Sequence, residues 1–190
     1  MRLSVAVSIL FLATATPAVV AAQTPPDAAS TYRDFRTRAE AGDAAAQWEV
    51  GMMLLNGHGV ARNDAEAYRW VRKSGEQGNE SGMISTAVML AMGQGVGRDP
   101  GAARDWYRRA AETHGSAHAL RGLAGMLLMG DGGAPEPERG LAYLELAAEG
   151  GDAPAAQILE AVAPQAAGKL DRAQVDAFKT EWIAAHGRPD

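Results

Sequence analysis

Hydrophobic and polar positions along this chain sort into two kinds of segment that follow one another. One kind is apolar nearly all round: residues 44–56 carry a single charge, Glu49, residues 80–92 carry only Glu80, and residues 117–129 only Arg121. The other kind is charged along its length, with Glu66, Arg69, Arg72, Lys73 and Glu76 in the first copy and Arg104, Asp105, Arg108, Arg109 and Glu112 in the second. A helix without a polar face must be buried on all sides or offer an apolar face to something. The charged segments fit a solvated outer layer. The expectation is two layers of helices, the apolar A helices inside and the charged B helices outside.

The alternation has a fixed period. Gly42, Gly78 and Gly115 each precede a Gly-x-Gly by 15 residues, at Gly57, Gly93 and Gly130. An aromatic follows 13 residues later, at Trp70, Trp106 and Tyr143, then two small residues and Glu76, Glu112 or Glu149. Successive units start 36, 37 and 36 residues apart. Self-similarity at such a period marks a repeat architecture. Asp43, Asn79, Ser116 and Asp152 directly follow a glycine and are helix N-cap types. The Gly-x-Gly glycines can take the left-handed conformation that ends helix A. Helix B is predicted to start near Asp64, Asp99-Pro100 and Glu136-Pro137, where proline suits a first helical turn.

These residues resemble the Sel1-like repeat, a relative of the tetratricopeptide repeat. The first unit matches through Ala44, Ala46, Gln47, Val50, Gly51, Gly57, Gly59, Val60, Asp64, Ala67, Trp70, Lys73, Glu76 and Gly78. The second matches through Gly93, Gly95, Val96, Asp99, Ala103, Trp106, Tyr107, Ala110, Ala111 and Glu112. Leu54, Leu90 and Leu127 stand where the family has a tyrosine, Gly133 replaces a valine, and Gly75 replaces an alanine. The resemblance covers about residues 42–163 and implies an all-α fold, an α/α solenoid. It also implies adaptor, scaffold or regulatory work by protein–protein interaction.

The ends follow different rules. Arg2, an apolar run from Leu3 to Ala15, Pro17 and the small residues Val20-Ala21-Ala22 form the pattern of an exported protein's signal peptide, residues 1–22. The run is too short and too interrupted for a membrane span, so no stable span is expected after signal removal and the mature chain is expected in the periplasm or secreted. Residues 23–29 read as a flexible lead-in. The solenoid is expected over 30–163, with full units near 42–77, 78–114 and 115–150 and partial units at 30–41 and 151–163. Residues 164–190 hold a break and a C-terminal helix opened by Asp171 and Gln174, with Leu170, Val175, Phe178 and Trp182 on one face. Its expected role is to cover the open end of the stack.

Composition removes several functions. The chain of 190 residues has no cysteine, which excludes thiol nucleophiles, disulfides and thiolate zinc sites. Its net charge of -5 and lack of a basic run argue against nucleic acid. No Gly-x-Ser-x-Gly, Ser-x-x-Lys, phosphate-binding loop or His-Glu-x-x-His occurs. His114 and His118 are four apart, but Gly115 and Ser116 between them mark a helix boundary, so no metal site is assigned. No catalytic residue and no cofactor is assigned.

What remains is a surface. In the stacks this family resembles, A helices line the concave side. Aligning Val50-Gly51 with the family's Leu-Gly puts Trp48, Met52 and Leu55 inside, and equal offsets select Ile84 and Val88, then His118, Arg121 and Leu128. All seven methionines after Met1 fall on A helices; most are expected to fill core, and methionine also lines adaptable binding surfaces. The apolar stripe suits an amphipathic helix or extended peptide of another protein. The lead-in, the C-terminal helix or a second copy are rival covers for it, and the oligomeric state stays open. The alternative function is binding or hydrolysis of envelope glycans or cell-wall fragments, for which Trp48 is the main inward aromatic.

Overall fold

The computed structural model describes residues 27–166 and 168–189. Among these residues the only regular elements are nine α-helices: α1 (Ala28–Glu40), α2 (Ala44–Asn56), α3 (Asp64–Glu76), α4 (Glu80–Met92), α5 (Pro100–His114), α6 (Ala117–Met129), α7 (Pro137–Glu149), α8 (Ala153–Ala166) and α9 (Arg172–His186). The even-numbered helices are the A layer and the odd-numbered ones from α1 to α7 the B layer. Each helix from α1 to α7 packs on the next, which makes the expected α/α solenoid. The expected export signal and residues 23–26 of the lead-in lie outside the described residues.

Local chemistry fixes the helix starts. Side chains of Asp43, Asn79 and Ser116 accept the N–H of Ala46, Gly82 and Ala119, and Asp152 accepts that of Ala155 at 2.7 Å. Asn63 and Asp99 cap α3 and α5 in the same way. Each cap satisfies a donor that the first helical turn leaves without a partner. Asp27 caps α1 through Ser30 N–H at 2.7 Å, so helix begins at Ala28, inside the segment 23–29 expected to be flexible. At the other end α8 runs through Pro164 to Ala166, past the break expected at 164. In the last turn proline forfeits one backbone hydrogen bond, which does not suffice to end the helix.

The Gly-x-Gly turns do two jobs. The first glycine closes the A helix in the left-handed conformation, at φ 67° for Gly57, 73° for Gly93 and 74° for Gly130. The second, Gly59, Gly95 or Gly132, also has positive φ and lies against the start of the preceding B helix. A Cβ there would overlap the carbonyl of Ala28, Asp64 or Pro100. The period in the sequence is thus a packing requirement between units.

Small residues bring the layers together. Gly75 and Gly82 set the backbones of α3 and α4 in contact, which accounts for the glycine where the family has alanine. Ala46, Val50, Leu54, Ala67, Val71 and Met89 form one core cluster, and Met83, Leu120, Leu144, Leu146 and Trp182 anchor another. Two buried polar side chains are paired across helices: Gln47 donates to the Ala39 carbonyl at 3.1 Å and accepts from Gln77 at 2.6 Å, and Ser74 donates to the Ala44 carbonyl at 2.6 Å. Arg104 is buried and pairs with Glu136 across the second and third units.

The C-terminal helix packs principally along α7. Val175 joins Leu141 and Ala142, and Trp182 meets Tyr143 edge-on at 5.3 Å. Its anchors are charged as well: Glu145 of α7 accepts from Arg172 and from Lys179, at 3.0 Å from the latter.

Candidate functional site

The inner faces of α2, α4 and α6 enclose a cavity of ≈ 430 Å³. Its apolar lining comes from Met52 and Leu55 of α2 and from Ile84, Val88 and Met89 of α4. Polar groups stand among these: Asn56 at the end of α2, Arg62 and Gln94 from the turns, Ser85 of α4, and His118 from the first turn of α6. Met52 and Val88 occupy the same place one repeat apart, as do Leu55 and Ala91, so the repeat itself produces the stripe.

Five of the eight residues singled out from the sequence, Met52, Leu55, Ile84, Val88 and His118, meet at this cavity. Trp48 stands beside them half-buried; its indole N–H donates to Ser85 Oγ at 3.0 Å and ties α2 to α4. Arg121 and Leu128 are engaged elsewhere. Arg121 donates to Asp152 at 2.9 Å, joining α6 to the start of α8, and Leu128 lies over Gly140 of α7. Both therefore serve the stacking of units. The sequence reading missed Asn56, Arg62, Ser85, Met89 and Gln94. Gln94 is the middle residue of the second Gly-x-Gly, a position read only as a turn, and Arg62 comes from the same turn one repeat earlier.

The cavity is nearly neutral. Arg62 is held by both oxygens of Asp64, at 2.7 and 2.8 Å, and keeps the Asp64 carboxyl below its ordinary pKa, with help from a Gln94 contact at 3.4 Å. Ser85 and His118 share the cavity, yet no hydrogen bond joins them, and Ser85 Oγ takes the Trp48 N–H instead. A nucleophile needs its base within hydrogen-bond reach, and among the described residues no base hydrogen-bonds to this serine. Neither α8 nor α9 supplies a lining residue, and α9 lies on α7. His114 points away, to the Gly78 carbonyl at 2.9 Å, so the two histidines four apart do not converge. An apolar floor with scattered amide, imidazole and hydroxyl groups suits side-chain burial and backbone hydrogen bonding, the needs of peptide recognition.

The Sel1 repeat pattern matches residues 44–79, 81–112 and 117–152, together more than half of the chain. The chain belongs to the Sel1 repeat family. A Sel1 repeat protein from Oxalobacter formigenes superimposes with a TM-score of 0.69 at 28% identity, covering 84% of this chain and 65% of its own. The protein c5321, described as a protective antigen of uropathogenic Escherichia coli with an SLR fold, superimposes at a TM-score of 0.73 and 21% identity, covering 83% of this chain and 33% of its own. This Sel1 chain thus spans less than two thirds of either solved relative. No curated protein matches it. Sel1 repeats are generally protein–protein interaction modules and typically non-catalytic scaffolds. Among the described residues of this Sel1 protein, no helix is long and apolar enough to cross a membrane.

Proposed function

We propose that this Sel1 protein is a non-enzymatic adaptor or regulator, exported to the periplasm or secreted, that holds an apolar helix or extended peptide of a partner protein in its concave face. The observation that carries the reading is the ≈ 430 Å³ cavity, with an apolar floor set by repeat positions rather than by chance. Its lining arginine, Arg62, is already matched by Asp64, so the preferred occupant is apolar and carries little charge where it enters. Trp48 has spent its indole N–H on Ser85, which leaves less for a sugar to bind and disfavours the glycan reading.

The test is capture of partners by the mature chain from Gln23, compared with the Met52→Glu, Val88→Glu double variant. Both side chains are only partly buried, so the variant is expected to unfold at nearly the parent's temperature. Partners retained by the parent and lost by the folded variant support the reading. Partners retained equally by both move the site to the B layer.

A further inference from the structure

Six of the seven methionines of the A layer divide sharply, while Met52, in the cavity lining, is partly buried. Met83 and Met89 are 1% and 2% exposed, and Met53 and Met126 are also buried. Met92 and Met129 are 73% and 78% exposed. They are the same repeat position, the last residue of α4 and of α6, directly before the capping glycine. On α2 that position is Asn56, which lines the cavity. Met92 also follows cavity-lining Val88 by four residues, one turn along the same helix face. Two flexible, largely exposed apolar side chains therefore prolong the concave face beyond the cavity. Burial in the core cannot explain them.

We propose that Met92 and Met129 are sulfoxidation sites through which an oxidant of the peroxide class switches off apolar docking on this face; the inference rests on the docking reading above. In the step, a sulfur lone pair attacks one oxygen of hydrogen peroxide. The S–O bond forms as the O–O bond breaks, and the departing hydroxide takes the proton from the new S–OH group and leaves as water. Sulfur loses two electrons and peroxide gains them. The product is a polar, chiral side chain in place of an apolar one, and sulfoxide reductases can restore it. Susceptibility follows exposure, so the four buried methionines serve as internal controls. Because both reactive residues stand clear of the core, oxidation there leaves the fold intact.

The experiment treats the folded chain with hydrogen peroxide and follows each methionine by peptide mass spectrometry. The fluorescence of anilinonaphthalene sulfonate reports the apolar face in the same samples. Met92 and Met129 are expected to gain oxygen about tenfold faster than Met83 and Met89, and dye binding to fall about twofold. The Met92→Leu, Met129→Leu variant keeps apolar side chains at these two positions without their sulfur and is expected to hold its dye signal through the same treatment. Oxidation at equal rates in exposed and buried positions overturns the proposal, as does selective oxidation with an unchanged dye signal. The Met52→Glu, Val88→Glu variant separates the two readings. If it binds dye like the parent, the cavity reading fails, while a fall on oxidation still sustains the switch.

Discussion

The second glycine of each turn is fixed by its neighbour as much as by its own backbone. Gly95 combines a φ of 70° with the Asp64 carbonyl where a Cβ would stand. Gly95→Ala is therefore expected to destabilise the protein by roughly 2–4 kcal/mol in denaturant unfolding, from strain and overlap together. Gly125 is the opposite case. It lies inside α6 in open space, with nothing within 4 Å of an added Cβ and no positive φ. Gly125→Ala should raise stability by about 0.5–1 kcal/mol, the helix-interior difference between the two residues. An equal effect of both substitutions would contradict this account of the turns. The glycine spacing was legible in the sequence because the same packing demand is written three times. The roles of Arg121 and Leu128 were not: one offset can face the groove in one unit and a neighbouring helix in the next, depending on whether Asp152 or Gly140 lies within reach.

Helix starts were readable at the caps that recur with the repeat, and less so at Asp27, which opens α1 outside that pattern. Asp43, Asn79, Ser116 and Asp171 each open a helix as expected, whereas α8 overran its expected end because Pro164 falls in the last turn. The seat of α9 was harder to read, since its apolar face fits any open groove. Its charges decide the matter, with Arg172 and Lys179 meeting Glu145 of α7 and Lys179 also reaching Glu149. Burial pushes the Glu145 carboxyl up, but hydrogen bonds from Arg172 and Lys179 outweigh it and leave the pKa below its ordinary value. A carboxylate lowered by folding stabilises at pH above its unfolded value of about 4.3 and loses that contribution as pH falls through its lower folded value. Amide exchange in α9 should therefore accelerate relative to α4, whose one acidic side chain is Glu80, between about pH 5 and about pH 3. In Glu145→Gln that extra acceleration should disappear. An unchanged acid response in that variant would assign it to other groups.

Across the whole molecule the units lean on one another. Arg121 and Asp152 join the third unit to α8, and Trp182 of α9 lies in the same core cluster as Leu120 and Leu144. Repeat stacks are stabilised by nearest-neighbour interfaces. Deleting the chain from Gly151 onward should therefore lower the unfolding temperature and loosen α6 and α7 before α2 and α3, as read by hydrogen exchange. Uniform exchange across all units would contradict nearest-neighbour coupling. At this scale the all-helical solenoid was visible in the sequence, because period, caps and apolar layers agree. The site was visible only in part. Asn56 and Gln94 enter it through the ends and turns of helices, where helical periodicity gives no direction.

The most direct measurement of the central claim is site-specific photo-crosslinking in the source cell, with the reactive group at position 88 in one variant and position 69 in another. Val88 lines the cavity, and Arg69 is exposed on the B helix α3. The account expects a protein adduct from position 88 and none from position 69. An adduct from position 69 alone would place the partner on the outer layer and contradict docking in the concave cavity.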